Sequence, residues 1–433
     1  MNILDIISKK KAGEELSKEE IEFFVSGYTE SVIPDYQASA LLMAIVLKGM
    51  TEKETVFLTE AMLKTGNIKD LSSLGENTAD KHSTGGVGDK TTLIAMPIAA
   101  AMGMKIAKMS GRALGHTGGT IDKLEAIKGY KINLSEEEFI KTVEKTSLSV
   151  IYTDETSVPA DKKIYALRDV TGTTDSLPLI ASSIMSKKLS SGAKNILLDV
   201  KMGSGSFMKT KEDAEKLGRL MVKIGGENGR RVGALITDMD EPLGLSVGNA
   251  LEILEALEVL GGGGEERLRT LCLKIAAAMA ELSFSVSEEE ALKAAEEALI
   301  SGAAKEKFRE WITAQGGNAS FMENESLLKP YPPRAKLFAK ESGYFTVLNT
   351  EKIGMAALLS GAGRLKKEDK IDYFAGILLK KKKGDKVEKG EVLAEIYSES
   401  DEKAEEAKKT LEKTLAVVKE EPQKTDIVIK TIM

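Results

Sequence analysis

The amino-acid sequence predicts an α/β protein with a central, mainly parallel sheet, preceded by helices and followed by a strand-rich segment. Three observations carry this. Residues 1–65 place apolar residues at helical spacing. Residues 81–238 alternate short apolar runs with helical patterns, the rhythm of helices packed over a parallel sheet. From about residue 333 the pattern changes to strands around a Gly-Asp turn. At roughly 100–200 residues per domain, a chain of 433 residues holds two to three domains.

In chain order, Ser17 caps an amphipathic run ahead of Glu19 and Glu20, and helical spacing continues over 36–47 and 52–63. Residues 66–80 are polar and turn-rich and read as a connector. A Gly-rich turn at 85–88 leads into an apolar helix at 91–102, a strand at 105–109 and a second Gly-rich turn at 111–119. Ser135 and the three glutamates after it start a helix with acids at its positive end. Residues 148–152 read as a strand, 160–169 and 175–190 as helices, 195–200 as a buried strand. Gly203, Gly205 and a helix from about 210 follow, then a strand at 233–238. Helices are expected at 247–259, 265–281 and 287–300, with a glycine loop at 261–264. Strands are expected at 335–340 and 344–349, and two more within 375–398. The lysine run 380–383 is flanked by acids and reads as a solvated strand end.

Composition excludes several roles. Lys+Arg 61 against Asp+Glu 67 gives a net charge of −6, which argues against a nucleic-acid or anionic-membrane surface. No apolar run is long enough to span a bilayer; 93–104 is among the longest. Cys272 is the only cysteine, so no disulfide forms within the chain, and a reducing, cytoplasmic compartment is expected. The first residues carry their acid before their lysines, the wrong order for a secretory signal.

The two histidines, His82 and His116, both sit in Gly-rich strings. Residues 81–120 hold eight of the 39 glycines, so the chemistry is sought there. In 81–92, glycines permit inward-pointing amides, a helix start follows, and Lys81, Ser83 and Thr92 add a charge and hydroxyl donors: an anion site. The spacing is not that of a nucleoside-triphosphate loop. A second string, from Lys108, Met109 and Ser110 through Thr120, ends a neighbouring strand, so both could close on one phosphate. His116 is as readily structural as functional. Ser183 and Lys187 share one helix face, with Arg168 on another helix. They could bind a ligand rich in carbonyl oxygens, or be charges paired with Asp161, Asp169 or Asp175.

Four stretches, 81–90, 108–127, 159–189 and 199–207, together with 241–260 and 375–394, resemble the thymidine/pyrimidine-nucleoside phosphorylase family over nearly the whole chain. Residues 162–173 look closest to its bacterial pyrimidine-nucleoside branch. The resemblance implies a small all-α lobe on the pyrimidine side (1–65 plus about 160–192) and a large α/β lobe on the phosphate side (66–159 plus about 193–330). A C-terminal α/β domain built on a strand hairpin (331–433) completes the chain. It implies a homodimer, with pyrimidine nucleoside and inorganic phosphate as ligands and no organic cofactor. The implied reaction is reversible phosphorolysis to free base and (deoxy)ribose 1-phosphate.

By carry-over, Lys81, His82, Ser83, Thr92, Lys108, Met109, Ser110 and Thr120 line the phosphate. Arg168, Ser183 and Lys187 bind the pyrimidine, and His82, Arg168 and Lys187 carry the catalysis, His82 beside the base O2 as a general acid. A monovalent cation (K+) is implied at positions matching Gly88, Lys90, Leu243, Ser246 and Glu255. Two departures stand out. The family's Gly-Gln-Thr-type loop is replaced by Tyr152 to Ser157 with Asp154 and Glu155. Lys90 stands where threonine is common, and its ammonium could take the cation's place. The alternatives are a phosphoribosyltransferase of related fold, with Asp89 and Asp122 as the acids available for Mg²⁺, and a non-catalytic nucleoside-binding relative.

Overall fold

The computed structural model describes residues 1–112, 118–153, 157–329, 331–364 and 369–433. Four helices come first: α1 (Ile3–Ala12), α2 (Lys18–Thr29), α3 (Asp35–Lys48) and α4 (Glu52–Leu63). The α/β part then runs β1 (Thr78–Ser83), α5 (Thr91–Ala101), β2 (Lys105–Ser110), α6 (Thr120–Glu125), α7 (Glu136–Thr146), β3 (Leu148–Tyr152), α8 (Pro159–Thr171) and α9 (Leu177–Ser190). It continues through β4 (Asn195–Met202), α10 (Lys211–Glu227), β5 (Arg231–Asp238), β6 (Ser246–Val247), α11 (Asn249–Leu260), α12 (Glu266–Phe284), α13 (Glu288–Ile300) and α14 (Ala303–Ala314). The C-terminal part holds β7 (Ala335–Phe338), β8 (Gly343–Val347), α15 (Thr350–Ala357), β9 (Gly376–Leu379), β10 (Lys386–Val387), β11 (Val392–Tyr397), α16 (Asp401–Glu412), β12 (Leu415–Val418) and β13 (Val428–Ile432).

Helix starts are written in the sequence. Ser17/Glu20, Thr51/Glu54, Ser135/Glu138 and Ser287/Glu290 form reciprocal capping boxes on α2, α4, α7 and α13. Each satisfies two otherwise orphaned N–H groups, with the N-cap side chain worth about 1 kcal/mol.

The main sheet has strand order β13-β5-β4-β1-β2-β3. β1 to β5 are mutually parallel, and β13 joins antiparallel to β5. From β1 the chain steps outward to β2 and β3, then returns to place β4 on β1's other side. The strand ends of β1 and β4 therefore flank the switch point, where parallel sheets leave a crevice. Alternation along β4 sends Ile196, Leu198 and Val200 into a core with Ala181, Met185 and Leu189 of α9 and Ala214, Leu217 and Met221 of α10. Leu197 faces the other core, built on α5, α11 and α12.

The first four helices share a core with Val158, Ala160 and Ile164 at the start of α8 and with Leu179. The segment 160–192 does not belong wholly to that helical core, because beyond Leu179 the apolar face of α9 packs on the sheet. Two strands cross the boundary expected at 330. β6 leaves the α/β part to join β9, β11 and β7 in a four-stranded sheet, and β13 returns from the C-terminal part to the main sheet. Strand pairing, which is non-local, overrides the composition change near 333.

β1 itself falls partly within the connector expected at 66–80. Its Asp80, Lys81 and His82 are polar, so hydropathy hides a strand whose Ala79, Asp80 and Lys81 are fully buried. Helices α14, α15 and α16 also lay outside the expectations. No helix among the described residues is long and apolar enough to cross a membrane.

Candidate functional site

The strand end at the switch point is charged, and its charges are paired. Lys81, fully buried, donates to Thr91 Oγ1 (2.6 Å) and pairs with Asp199 of β4 (2.9 Å). Thr91 donates to Asp89 (2.6 Å). Lys201 pairs with the same Asp199 (2.7 Å), which also accepts from Thr237 (2.7 Å). Burial opposes the charge on Lys81, but Asp199 and then Asp89 hold its ammonium above the usual lysine value. Asp199 stays ionised against its burial because Lys201 and Lys81 face it. Asp89 is held well below the carboxylate range, burial being outweighed by Lys81 and Lys201. Lys81 thus braces the Gly-rich turn from behind, and its ammonium is not open to solvent.

The groups at the front of the turn are polar and partly exposed: His82, Ser83, Ser110 and Thr120, the last opening α6. Ser83 Oγ accepts from Gly85 N–H (3.2 Å). Thr92 is nearly buried in the first turn of α5, where N–H groups lack intrahelical partners. Lys108 donates to the Lys81 carbonyl oxygen and lies 3.5 Å from Asp80. Burial, with Lys188 and Lys81, lowers Lys108 to about 7 against the pull of Asp80. Met109 is buried and offers the site its backbone carbonyl, which accepts from Lys188 (2.8 Å).

His82 is held well below the usual histidine range, first by burial, then by Lys188, Lys108, Lys187 and Lys81. A neutral imidazole stands at this point. The expectation of a general acid therefore meets an electrostatic obstacle: four lysines repel the extra proton. A neutral ring keeps one N–H to donate.

On the helical side, Lys187 donates to Asp161 (2.6 Å) and Ser183 Oγ (3.0 Å), with the Tyr165 ring 5.8 Å away. The pairing of Lys187 with Asp161 is the charge-pair alternative read from the sequence. It leaves the Lys187 side chain about one-third exposed, so it can still face a ligand. Arg168 is almost fully buried and donates to the backbone carbonyls of Thr173 (2.9 Å), Leu179 (3.0 Å) and Thr174 (2.9 Å). It ties α8 to α9, and together with Asp161 and Ser183 it lines a small cavity against Phe24, Leu42 and Met62.

The next residue on α9, Lys188, points the opposite way, into Asp80 of β1 (2.7 Å). One helix therefore fastens the helical side to the strand end, and its Lys187 is among the charges that hold the His82 imidazole neutral. Sequence reasoning missed Lys188, Asp80, Asp199 and Lys201. The signal available was a lysine pair on a helix with apolar neighbours, which must bury one of its charges. It also missed Lys123, whose ammonium bonds the carbonyls of Asp89 (3.0 Å) and Gly118 (2.9 Å) and pairs with Glu252 (3.1 Å), joining the two Gly-rich strings.

The residues matching a cation site come together around Lys90, whose Nζ lies 2.6 Å from Leu243 O, 2.9 Å from Ser246 O and 2.7 Å from Glu255 Oε2. The Gly88 carbonyl is taken by the Lys90 N–H (2.9 Å). A resident K+ does not fit this centre as the chain stands, because the ammonium already occupies it. His116, Asp154 and Glu155 lie outside the described residues.

Three matches to known families cover most of the chain. Residues 4–66 match the helical bundle domain of a glycosyl transferase family, 75–305 its a/b domain, and 344–418 the pyrimidine nucleoside phosphorylase C-terminal domain. The chain is 51% identical over 399 residues to the pyrimidine-nucleoside phosphorylase of Bacillus subtilis (strain 168), covering 92% of each. The same identity and coverage hold for the enzymes of that name from Staphylococcus haemolyticus (strain JCSC1435) and Staphylococcus aureus (strain COL). Among solved structures, anthranilate phosphoribosyltransferase from Thermus thermophilus matches with a TM-score of 0.57 at 19% identity, covering 72% of this chain and 99% of that one. At that identity the likeness shows the fold alone.

Proposed function

The chain belongs to the pyrimidine-nucleoside phosphorylase family, and on that premise we propose that it catalyses the reversible phosphorolysis of pyrimidine nucleosides. Uridine, thymidine and deoxyuridine are the proposed substrates, with free base and (deoxy)ribose 1-phosphate as products. The observation that carries the reading is the meeting of β1 with α9. Lys188 binds Asp80, and Lys187 acts electrostatically on His82, which supports assigning the strand end and the donor-lined helical face to one crevice.

A phosphate oxygen bonds to C1′ as the C1′–N1 bond breaks, and the bonding pair leaves with the base. The sugar passes through an oxocarbenium-like state and the base leaves as an anion that then takes up a proton. The work assigned to the protein is positioning and charge stabilisation, with no covalent intermediate. We assign phosphate to the hydroxyls of Ser83, Thr92, Ser110 and Thr120 and to the turn amides, with Lys108 and the enclosed Lys81 supplying positive potential. Lys187 and Ser183 face the pyrimidine, with Arg168 holding their helix in place. His82 acts as a neutral hydrogen-bond donor to the base, the form its lysine surroundings favour.

The phosphoribosyltransferase alternative has little support here. Asp122 is ion-paired with Arg112 and Arg364 (3.0 Å each), and Asp89 is held by Thr91, so both acids are engaged. A cytoplasmic location, in keeping with a single, buried cysteine, and a homodimeric state are both part of the proposal. The test is base release from uridine, thymidine and cytidine, with and without phosphate. Release from uridine and thymidine that requires phosphate is expected. Release without phosphate, or binding of uridine without turnover, would overturn the reading.

A further inference from the structure

The turn at residues 243–246 is built around the end of one side chain. Lys90 is fully buried, and its ammonium takes up two backbone carbonyls and one carboxylate within 2.9 Å. That carboxylate, Glu255 on α11, also accepts the N–H groups of Leu245 (2.6 Å) and Ser246 (2.8 Å). The walls leave no slack. A Cβ on Gly88, which has φ 72°, would stand 2.8 Å from Leu243 O, and one on Gly244 would run into the Glu255 carboxylate. Leu243 N–H closes the cage from the other side on Val87 O (3.1 Å). An all-oxygen cage of carbonyls and a carboxylate is the donor set of a hard cation, and an ammonium is close to a potassium ion in size.

We propose that Lys90 is a covalently tethered replacement for a monovalent cation, and that it makes the Gly-rich turn independent of potassium. A free ion fills such a cage only in proportion to its concentration. An ammonium carried on the same chain is present at a fixed, high effective concentration. Its stem leaves the N-cap of α5, next to Thr91, which bonds Lys81 and Asp89. Lys90 is thus a positioning residue: it holds the turn that carries Thr91 and Thr92 against the 243–246 loop. The cage and its stability stand without the proposed function; the consequence for phosphate rests on it.

The full-length protein and two variants are compared in potassium chloride and in tetramethylammonium chloride at equal ionic strength, tetramethylammonium being too large for the cage. Lys90→Thr empties the centre but leaves a hydroxyl oxygen for an ion; Lys90→Met fills it without a charge. The unchanged protein should melt at the same temperature in both salts. Lys90→Thr should melt about 2 °C or more higher in potassium, and Lys90→Met should gain nothing. The phosphate KM of Lys90→Thr should fall about tenfold or more as potassium is added. A potassium-dependent melting temperature in the unchanged protein would overturn the proposal. So would a Lys90→Thr variant that responds equally to both salts, or that fails to fold in potassium. If the melting shifts occur and the phosphate KM does not move, the cage stands and the phosphate assignment of the turn fails instead.

Discussion

Lys108 titrates near neutral pH because burial and two neighbouring lysines outweigh Asp80. Its folded value of about 7 lies below the value of about 10.4 expected in the unfolded chain. Between those values the folded state binds fewer protons, so this group's contribution to stability rises with pH across that window. Phosphate affinity should move the other way, falling as pH rises through 7 and the ammonium loses its charge. Titrations of the free enzyme with phosphate should show a steeper fall between about pH 6 and 8 (about one unit either side of the titration) in the unchanged protein than in Lys108→Met. The second ionisation of phosphate is common to both, so equal slopes would remove Lys108 from the anion site. Arg168 makes a different demand. Arg168→Ala strands the carbonyls of Thr173, Thr174 and Leu179, and should lower stability by about 2–4 kcal/mol in urea unfolding. A variant that unfolds normally but fails to bind nucleoside would make Arg168 a ligand and not a brace.

Helix α9 joins the two sides because its faces differ. Ser183 lines the small cavity and Lys187 reaches Asp161, while Ala181, Met185 and Leu189 pack on the sheet and Lys188 reaches Asp80. Lys188→Met leaves Asp80 buried with, among the described residues, only the 3.5 Å ion pair to Lys108. It should destabilise the protein by about 3 kcal/mol, because removing one partner of a buried pair leaves an uncompensated charge. Adding Asp80→Asn to it should restore part of the loss in the same unfolding assay; a double variant as unstable as the sum of both singles would deny the coupling. The α9 helix was legible from its sequence. Helical spacing already set Lys187 on one face with Ser183, but that Lys188 turns to a buried partner on β1 is seen only in the folded chain.

The molecule is knitted together by strands that cross between its parts. β13 closes the edge of β5, and β6 pairs with β9. Lys382, from the lysine run expected to be solvated, reaches Pro242 O (2.8 Å) and Glu241 (2.9 Å), on the loop that Lys90 holds from within. The C-terminal part should therefore not melt separately. A single calorimetric transition is expected for the full chain, and two resolved transitions would contradict it. Removing residues 427–433 should expose the β5 edge and promote association, seen as larger species in size-exclusion chromatography. An unchanged elution profile would show that β13 is dispensable as an edge cover.

From the order of residues alone come the βαβ rhythm, the capped helix starts, the two Gly-rich strings and the residue types of the crevice. These depend on neighbours a few positions apart, and periodicity and motif spacing report them directly. Only the folded chain decides where each charge goes. Lys81 meets Asp199 and Lys188 meets Asp80 across more than a hundred residues, and strand β1 hides its burial behind charges that are neutralised by those distant partners. The same holds for Lys90. Its position beside the turn is plain in the sequence, but its ammonium lies at the centre of the oxygen cage because a loop more than 150 residues away closes around it. Pairing of buried charges is a non-local, three-dimensional choice, because each charge must find its partner wherever the packing brings one.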